Sequence, residues 1–202
     1  MIAIIDYGAG NIGSVVNALR FLGQDVTCTN DYRSILEADH VVLPGVGSFG
    51  YAMDSLGESG LIPAIREVIE RDTPFLGICL GYQMLFSGSE EDGGCEGLGI
   101  FPGSVRRFPE KKGFTVPQIG WNSLNLYKDT GVFSDLPRES YFYFVHSYYV
   151  KSENRDIVSS TTDYIIEYDS SVMKGNLLGC QFHPEKSSYR GLKILERFCH
   201  AH

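Results

Sequence analysis

Short apolar runs alternate with helically spaced apolar residues along the first part of the chain, and this alternation constrains the fold more than any other feature. The apolar runs lie at 2–5, 26–29, 41–43 and 75–78. Helical spacing appears at Ile12, Val15, Val16 and Leu19, at Leu61, Ile65, Val68 and Ile69, and again over 82–86. Strands that alternate with helices predict an α/β fold with a mostly parallel sheet, flanked by helices on both faces.

The second part of the chain is richer in β-branched and aromatic residues. The segments "SVRRF", "YFYFVHSYY", "DIVSSTT" and "YIIEYD" are separated by turn residues and predict a mixed or antiparallel extension of the same sheet. "GNLLGCQFHPEKS" predicts a last strand that ends near His183, and Leu192, Leu195 and Phe198 predict a closing helix. Without a repeat or a linker, residues 1–202 are expected to form a single domain.

Charge and cysteine usage narrow the class of protein. The formal net charge is −8 and no basic block occurs, which argues against nucleic acid or an anionic membrane as the main ligand. No apolar run reaches the roughly 18 residues of a membrane span, and the start resembles no targeting signal, so a cytoplasmic protein is expected. The five scattered cysteines suggest neither a disulfide framework nor a metal site. No cofactor is predicted, and the roles of Cys28, Cys95, Cys180 and Cys199 stay open.

One cysteine stands between two glycines where an apolar strand gives way to an apolar helix. Gly77-Ile78-Cys79-Leu80-Gly81 has the form of a G-x-S-x-G nucleophile elbow with cysteine in place of serine. Such an elbow is strained, and its neighbours at −2 and +2 have no room for side chains. It would present the sulfur at the carboxyl end of the sheet and at a helix N-terminus, which favours a thiolate. The alternative is a small buried residue in a glycine-rich strand end.

A cysteine nucleophile needs a base, and the base needs an orienting group. His183 follows the last predicted strand, and Glu185, two residues on, could share its side if the chain stays extended. His146, in "FVHSYY", has no acidic residue within several positions. We therefore expect His183 to be the base and Glu185 to orient it, with His146 as the alternative.

The reaction of a thiolate with a carbonyl also needs donors for the oxyanion. The backbone N–H of Leu80, directly after the nucleophile, is the donor expected from an elbow. A second donor is expected from Val46 or Gly47, because the glycine-rich segment 44–50 permits a close approach of backbone to a ligand. Alternatively, this segment is only a flexible connection.

Taken together, these motifs resemble a known family. "GICLGYQMLF" and "GCQFHPEKS" are similar to the class I (triad-type) glutamine amidotransferases. "DYGAGNIGSV", "PGVGSFGYAM", "IGWNSL" and "YFVHSYY" narrow the resemblance to the glutaminase subunits of imidazole glycerol phosphate synthase. The resemblance implies a flavodoxin-like fold and hydrolysis of glutamine to glutamate and ammonia through a Cys79 thioester.

The resemblance also implies roles for residues around the triad. Gln83 and Glu91 would hold the amino-acid part of glutamine, and Ser147 and Tyr148 would lie near its carboxylate. Alternatively, Glu91 is a solvated member of "SEEDGG".

A partner is implied in the same way. Ammonia would pass to a separate cyclase subunit of (β/α)₈ barrel fold, in a heterodimer that serves histidine biosynthesis. Asn11, Trp121 and Lys186 match positions that face this cyclase. The only tryptophan of the chain, in "GWN", would equally suit a core position.

Other functions remain open at this point. The chain could serve a different synthase, such as one that makes anthranilate or aminodeoxychorismate, or hydrolyse another γ-glutamyl compound. It could be a catalytically inactive interaction subunit, since a sequence does not show whether the triad residues meet. Gly8, Gly10 and Gly13 also form G-x-G-x-x-G, with Asp31 near the position of a ribose-binding acid, which is the pattern of a dinucleotide-binding module.

Overall fold

A computed structural model describes residues 1–8, 11–127, 131–137 and 139–201. The described residues form helices α1 (Ile12–Phe21), α2 (Tyr32–Leu36), α3 (Phe49–Glu58), α4 (Ile62–Glu70), α5 (Leu80–Gln83) and α6 (Ser188–Cys199). The strands of the first half are β1 (Ile2–Ile5), β2 (Val26–Thr29), β3 (His40–Gly45), β4 (Phe75–Cys79), β5 (Phe86–Ser89) and β6 (Cys95–Glu96). Those of the second half are β7 (Phe101–Arg107), β8 (Gln118–Ser123), β9 (Asn125–Leu126), β10 (Tyr141–His146), β11 (Tyr148–Ser152), β12 (Val158–Asp163), β13 (Glu167–Lys174) and β14 (Leu177–Cys180).

The main sheet has a parallel half and a mostly antiparallel half. Its strand order is β2-β1-β3-β4-β14-β13-β11-β7-β5-β6, with β12 beside β13 and β9 beside β12. Strands β2, β1, β3, β4 and β14 pair in parallel, whereas β13 and β11 run antiparallel to their neighbours. The α/β fold with a mostly parallel centre and a mixed extension is therefore confirmed.

Helices cover both faces of the parallel half. Strand residues alternate between two apolar cores, because successive side chains of a strand point to opposite faces. One core receives α2, α3 and α4 through residues that include Ile35, Leu56, Ile65 and Val68. The other receives α1 and α6 through residues that include Val15, Leu19, Leu195 and Phe198. This double cover explains why β1 and β3 are almost continuously apolar.

Three details of the sequence prediction are wrong. The predicted helix over 82–86 ends at Gln83, and Phe86 begins β5. Helices α2 and α3 were not predicted at all. Their helical spacing is broken by polar residues and glycine, as in "FGYAMDSLGE". In a short apolar run, helix and strand have the same burial pattern, so periodicity does not separate them.

The second half also differs from expectation in its pairing. The segment "YFYFVHSYY" divides at Ser147: β11 joins the main sheet, whereas β10 forms a separate antiparallel pair with β8. The last strand ends at Cys180 rather than near His183. Beyond it, the N–H of His183 donates to the carbonyl of Tyr143 in β10 instead of continuing the main sheet. These two sheets therefore meet at the carboxyl end of β14.

Candidate active site

Cys79 lies at the last position of β4 and has the backbone conformation of a nucleophile elbow. Its φ of 55° and ψ of −108° place a non-glycine residue in a strained region, and α5 begins at the next residue. Its side chain is buried, and both neighbouring strands, β3 and β14, run parallel to β4. The carboxyl ends of three adjacent parallel strands therefore surround the sulfur, which is where open α/β sheets place their sites.

Glycines make room for this elbow. A Cβ on Gly81 would lie 1.9 Å from the carbonyl oxygen of Leu43, and a Cβ on Gly77 would lie 2.9 Å from the carbonyl oxygen of Gly81. A Cβ on Gly45 would lie 2.7 Å from the nitrogen of Gly81. The expectation that Gly77 and Gly81 leave no room for a side chain is confirmed. Gly45 meets the same constraint from the neighbouring strand.

His183 and Glu185 lie beside the elbow, at the carboxyl end of β14. His183 Nδ1 lies 2.8 Å from Glu185 Oε1, and both side chains are almost fully buried. The chain does not stay extended between them, because Pro184–Lys186 form a 3₁₀ turn. The hydroxyl of Ser187 closes this turn by donating to the carbonyl oxygen of His183 at 2.6 Å. The carboxylate thus reaches the ring by a turn rather than by strand alternation.

The second ring nitrogen of His183, Nε2, is the one left to interact with Cys79, because Nδ1 is engaged by Glu185. Nε2 is buried and makes no hydrogen bond of ordinary geometry within the described part of the chain. Burial, the largest influence, lowers the pKa of His183, but hydrogen bonding with Cys79 and Glu185 and their charges outweigh it and raise the pKa to about 10. A proton that moves from the Cys79 thiol to the His183 ring would therefore be stabilised there by Glu185 and by the charge of the sulfur.

His146 has a different environment and does not face Cys79 as a base. It is buried, with Nδ1 2.7 Å from the carbonyl oxygen of Tyr148 and Nε2 3.2 Å from the hydroxyl of Tyr168. Burial lowers its pKa from 6.5 to about 4, and the nearby His183 acts in the same direction against the hydrogen bond with Tyr148. Both ring nitrogens are thus engaged in holding β10 to its surroundings.

Acid should destabilise the fold through His146. Its pKa is about 4 in the folded chain and about 6.5 when unfolded, so the unfolded state binds the proton more tightly. This contribution to stability is complete above pH 6.5 and is lost as the pH falls towards 4. Between pH 7 and pH 5 we expect a loss of about 2 kcal/mol from this group. Urea unfolding of the unmodified chain and of His146→Gln checks this: the variant should lack that part of the pH dependence, and parallel pH dependences would contradict it.

The expected oxyanion segment follows β3, which pairs with the strand β4 that ends at Cys79. Gly45 pairs with Cys79 in the β3–β4 register, so Val46 and Gly47 begin directly beside the elbow. Gly47 has a φ of +102°, and a Cβ there would meet no atom within 4 Å. Its backbone conformation, rather than lack of space, is what favours glycine.

Gln83 and Glu91 both line the space beside Cys79. Gln83, in α5, donates from Nε2 to the carbonyl oxygen of Tyr148 at 2.9 Å. Glu91 Oε2 accepts from the backbone N–H of Phe49 at 2.8 Å, at the start of α3. Burial raises the pKa of Glu91, against the lowering effect of that hydrogen bond. Glu91 is therefore not simply a solvated surface carboxylate.

A cavity of about 330 Å³ unites most of the predicted site residues. It is lined by Val46, Gly47, Cys79, Leu80, Gln83, Glu91, Pro117, Val145, His146, Ser147, Tyr148 and His183. Glu185 lies behind His183 and does not line it. The expected nucleophile, the expected base, the expected oxyanion segment and the four expected substrate-binding residues thus meet in one place.

The three residues expected at a partner interface lie outside this cavity. Asn11 precedes α1, where Ser14 Oγ lies 3.3 Å from its side-chain oxygen. Trp121, in β8, is 53% exposed and contacts the ring of Tyr143 edge-on. Lys186 is exposed and follows Glu185 directly. Trp121 is therefore not a core residue.

Sequence reasoning did not identify three residues that line the cavity or contact Cys79. Val145 and Pro117 line the cavity, and the carbonyl oxygen of Val145 lies 3.9 Å from Cys79 Sγ. Gln181 is fully buried, with Nε2 3.7 Å from the same sulfur. A glutamine just after an apolar strand and two residues before His183 was the available signal, since a buried amide needs partners.

The other cysteines are free thiols in different surroundings. Cys28 is exposed on β2, Cys95 and Cys199 are half-buried, and Cys180 is buried in β14. Among the described residues no cluster of histidine, cysteine, aspartate or glutamate has the arrangement of a metal site. Nor does any helix in the ranges described have both the length and the apolar character to span a membrane.

The residues of the dinucleotide-binding alternative have other tasks or lie outside the described ranges. Asp31 caps α2 by accepting from the N–H and the hydroxyl of Ser34, each at 2.8 Å, and the backbone hydrogen bond lowers its pKa. Gly8 has a φ of +85°, and Gly10 lies outside the described residues. Asp31 is therefore occupied as a helix cap.

Comparison with known proteins places this geometry in a family. The family model for glutamine amidotransferase class-I matches residues 3–201. The chain is 51% identical, over 98% of its length and 93% of the relative, to imidazole glycerol phosphate synthase subunit HisH of Moorella thermoacetica. It is 47% identical to the chloroplastic imidazole glycerol phosphate synthase hisHF of Arabidopsis thaliana, over 99% of this chain and 34% of that protein. PurLQS from Thermotoga maritima shares the fold, with a TM-score of 0.76 at 18% identity, over 98% of this chain and 97% of that one.

Proposed function

The chain belongs to the class-I glutamine amidotransferases, and we propose that it is the glutaminase subunit of an imidazole glycerol phosphate synthase, acting in histidine biosynthesis. The observation that carries the proposal is the meeting of Cys79, in its strained elbow, with His183 and Glu185 beside one cavity. The relatives named above favour this synthase over the anthranilate and aminodeoxychorismate types.

The reaction proceeds through a thioester. Cys79 first transfers its thiol proton to His183 Nε2, and the resulting thiolate attacks the side-chain carbonyl carbon of glutamine. His183 returns that proton to the amide nitrogen, the C–N bond breaks and ammonia leaves. Water then adds to the γ-glutamyl thioester, again losing a proton to His183, and glutamate leaves as the sulfur recovers its proton. Glu185 accepts from Nδ1 and so keeps Nε2 facing the sulfur.

Both tetrahedral intermediates carry an oxyanion that needs donors. We assign one donor to the backbone N–H of Leu80, at the N-terminus of α5. The second comes from the segment of Val46 and Gly47, which lies beside Cys79. A positive φ at Gly47 makes a rotation of this peptide plane accessible at small cost.

The amino-acid part of glutamine fits between Gln83 and Glu91. Glu91 supplies a carboxylate for the α-ammonium group, and its bond to the N–H of Phe49 fixes that carboxylate at the cavity wall. The side-chain nitrogen of Gln83 already donates to two acceptors, so its oxygen is the atom left to receive a substrate N–H. Ser147 and Tyr148 lie along the same wall, where we place the substrate carboxylate.

Ammonia passes to a partner in this proposal. Relatives named as subunits indicate a complex, and the partner we infer is a cyclase subunit in a heterodimer. Asn11, Trp121 and Lys186 are the proposed contacts, of which Trp121 and Lys186 are exposed. Since Lys186 follows Glu185 in the same 3₁₀ turn, a partner bound there lies one residue from the triad.

We also propose that residues 1–202 act as one amidotransferase domain. Its cysteines are free thiols, which is compatible with the reducing environment of the cytoplasm, where we propose that it acts.

Trapping the acyl enzyme tests the thioester step. Hydroxylamine added with glutamine should divert the intermediate to γ-glutamyl hydroxamate, at the expense of glutamate. Cys79→Ala should form no hydroxamate above the rate without protein. Hydroxamate formed equally by both proteins would contradict a thioester at Cys79.

Gly47 should matter to activation more than to binding. In Gly47→Val, a φ near +102° is strained for a β-branched residue, by about 1–3 kcal/mol, so the segment should settle in another conformation. We expect cyclase-stimulated glutamate formation to fall at least about tenfold, which corresponds to about 1.4 kcal/mol, while cyclase affinity changes little. Gly60→Val is the matched control, because Gly60 has a φ of +70°, open space around it and a position outside the cavity. Equal losses of binding and turnover in Gly47→Val would contradict this role.

A further inference from the structure

Gln181 is a fully buried polar residue for which the mechanism above has no task. Cys180 pairs with Ile78 in the β14–β4 register, so the next residue, Gln181, lies level with Cys79. Its backbone N–H donates to the carbonyl of Ser170 at 2.9 Å, which fixes the main chain. The main chain that carries its side chain is therefore held in place beside Cys79.

A chain of amides sets the direction in which the Gln181 side chain points. The carbonyl oxygen of Tyr148 can only accept, so Gln83 must present its nitrogen there, at 2.9 Å. The second hydrogen of that nitrogen reaches Gln181 Oε1, also at 2.9 Å. With its oxygen so engaged, Gln181 directs Nε2–H to Cys79 Sγ at 3.7 Å. A rotation of either amide by 180° would bring two acceptors, or two donors, together.

The sulfur needs such a donor once it is ionised. As a thiol, Cys79 donates towards the carbonyl oxygen of Val145 at 3.9 Å, but as a thiolate it meets the negative end of the same dipole. Burial raises the pKa of Tyr7, Tyr168 and Cys180, so these neighbours stay neutral and add no opposing charge. His183 supplies a cation on one side, and Gln181 supplies an N–H from the β14 side.

We propose that Gln181 is a further catalytic residue, whose Nε2–H donates a hydrogen bond to the ionised sulfur of Cys79. Gln83 and the carbonyl of Tyr148 are its positioning groups. The inference rests on the proposed function only in taking Cys79 as the nucleophile.

Alkylation of Cys79 by iodoacetamide tests this assignment without depending on glutamine binding. The thiolate displaces iodide, so the rate follows the ionised fraction. Gln181→Met removes the donor at similar volume. Gln181→Glu keeps an acceptor for Gln83 and replaces the donor nitrogen Nε2 with an oxygen. Ser170→Ala is the control, since the Ser170 hydroxyl bonds Ser160 in the buried neighbouring strand and not the sulfur. Fragment-ion mass spectrometry of residues 72–106 separates Cys79 from Cys95, because trypsin leaves both on one peptide.

In Gln181→Met we expect iodoacetamide to alkylate Cys79 about tenfold more slowly at neutral pH than in the unmodified chain. The pH–rate profile of the variant should lie about one unit more alkaline. Ser170→Ala should match the unmodified chain in both. Alkylation of a folded Gln181→Met variant at the unmodified rate would overturn the proposal. If thermal melting shows that the Met variant does not fold, Gln181→Glu is used instead: alkylation of its Cys79 at the unmodified rate would overturn the proposal, because the carboxylate supplies no donor and its charge would slow the reaction further. Loss of glutamine turnover from the unmodified chain would refute the proposed function instead, while leaving this alkylation result readable.

Discussion

Glutamine hydrolysis should disappear when Cys79 is replaced with alanine. In the proposed mechanism the thioester forms at this sulfur, and no other described cysteine lines the cavity of about 330 Å³. Since the members of a nucleophile–base pair act as a unit, the expected loss of turnover is about a millionfold. Alanine is smaller than cysteine, so the elbow keeps its space and the fold should survive. Glutamate formation is the measurement, with near-ultraviolet circular dichroism and cyclase binding to confirm an intact protein.

Cys180→Ala is the matched control for this substitution. Cys180 is also a buried cysteine in the parallel sheet, one strand from Cys79, and its thiol lies 3.5 Å from the carbonyl oxygen of Phe182. The Cys180→Ala variant should keep most of the turnover of the unmodified chain and should be somewhat less stable. Turnover near that of the unmodified chain in Cys79→Ala would show that Cys79 is not the nucleophile.

Replacing His183 with alanine should cost about four to six orders of magnitude in turnover. The variant leaves the thiol without a proton acceptor and the leaving ammonia without a donor, and it strands the buried carboxylate of Glu185. The loss should appear in kcat, because the variant affects the chemical step rather than binding. Steady-state glutamate formation at saturating glutamine measures it.

His146→Ala separates the two candidate bases. Its ring nitrogens face the carbonyl of Tyr148 and the hydroxyl of Tyr168, so its loss should lower stability and leave turnover far higher than in the His183 variant. A deeper loss of turnover in His146→Ala than in His183→Ala would mean that the base is wrongly assigned.

The arrangement of the parallel sheet could be predicted because its pattern is repeated. Four apolar runs, each followed by a turn or helix, specify parallel strands with both faces covered, and the elbow then specifies which end carries the site. The contact of His183 with Glu185 was expected for the wrong local reason. A proline-initiated 3₁₀ turn, not an extended chain, brings the carboxylate to the ring.

What could not be predicted depends on contacts distant along the chain. Burial alone does not reveal that β10 leaves the main sheet for β8, because the apolar character of Phe142 and Phe144 does not specify which strand pairs with theirs. Gln181 gained its significance only when the register of β14 placed it level with Cys79 and Gln83 fixed its orientation. The sequence did not distinguish a core position from an interface position for Trp121, which is 53% exposed in the structure.

The most direct test of the central claim is the rate of glutamate formation from glutamine, measured for the chain alone and with a cyclase subunit that carries its nucleotide ligand. Cys79→Ala runs beside each condition. We expect turnover that rises sharply with the loaded cyclase and is absent from the variant. Turnover that depends on Cys79 but ignores the cyclase would contradict the assigned synthase. A folded chain that binds the cyclase yet never forms glutamate would contradict the glutaminase itself.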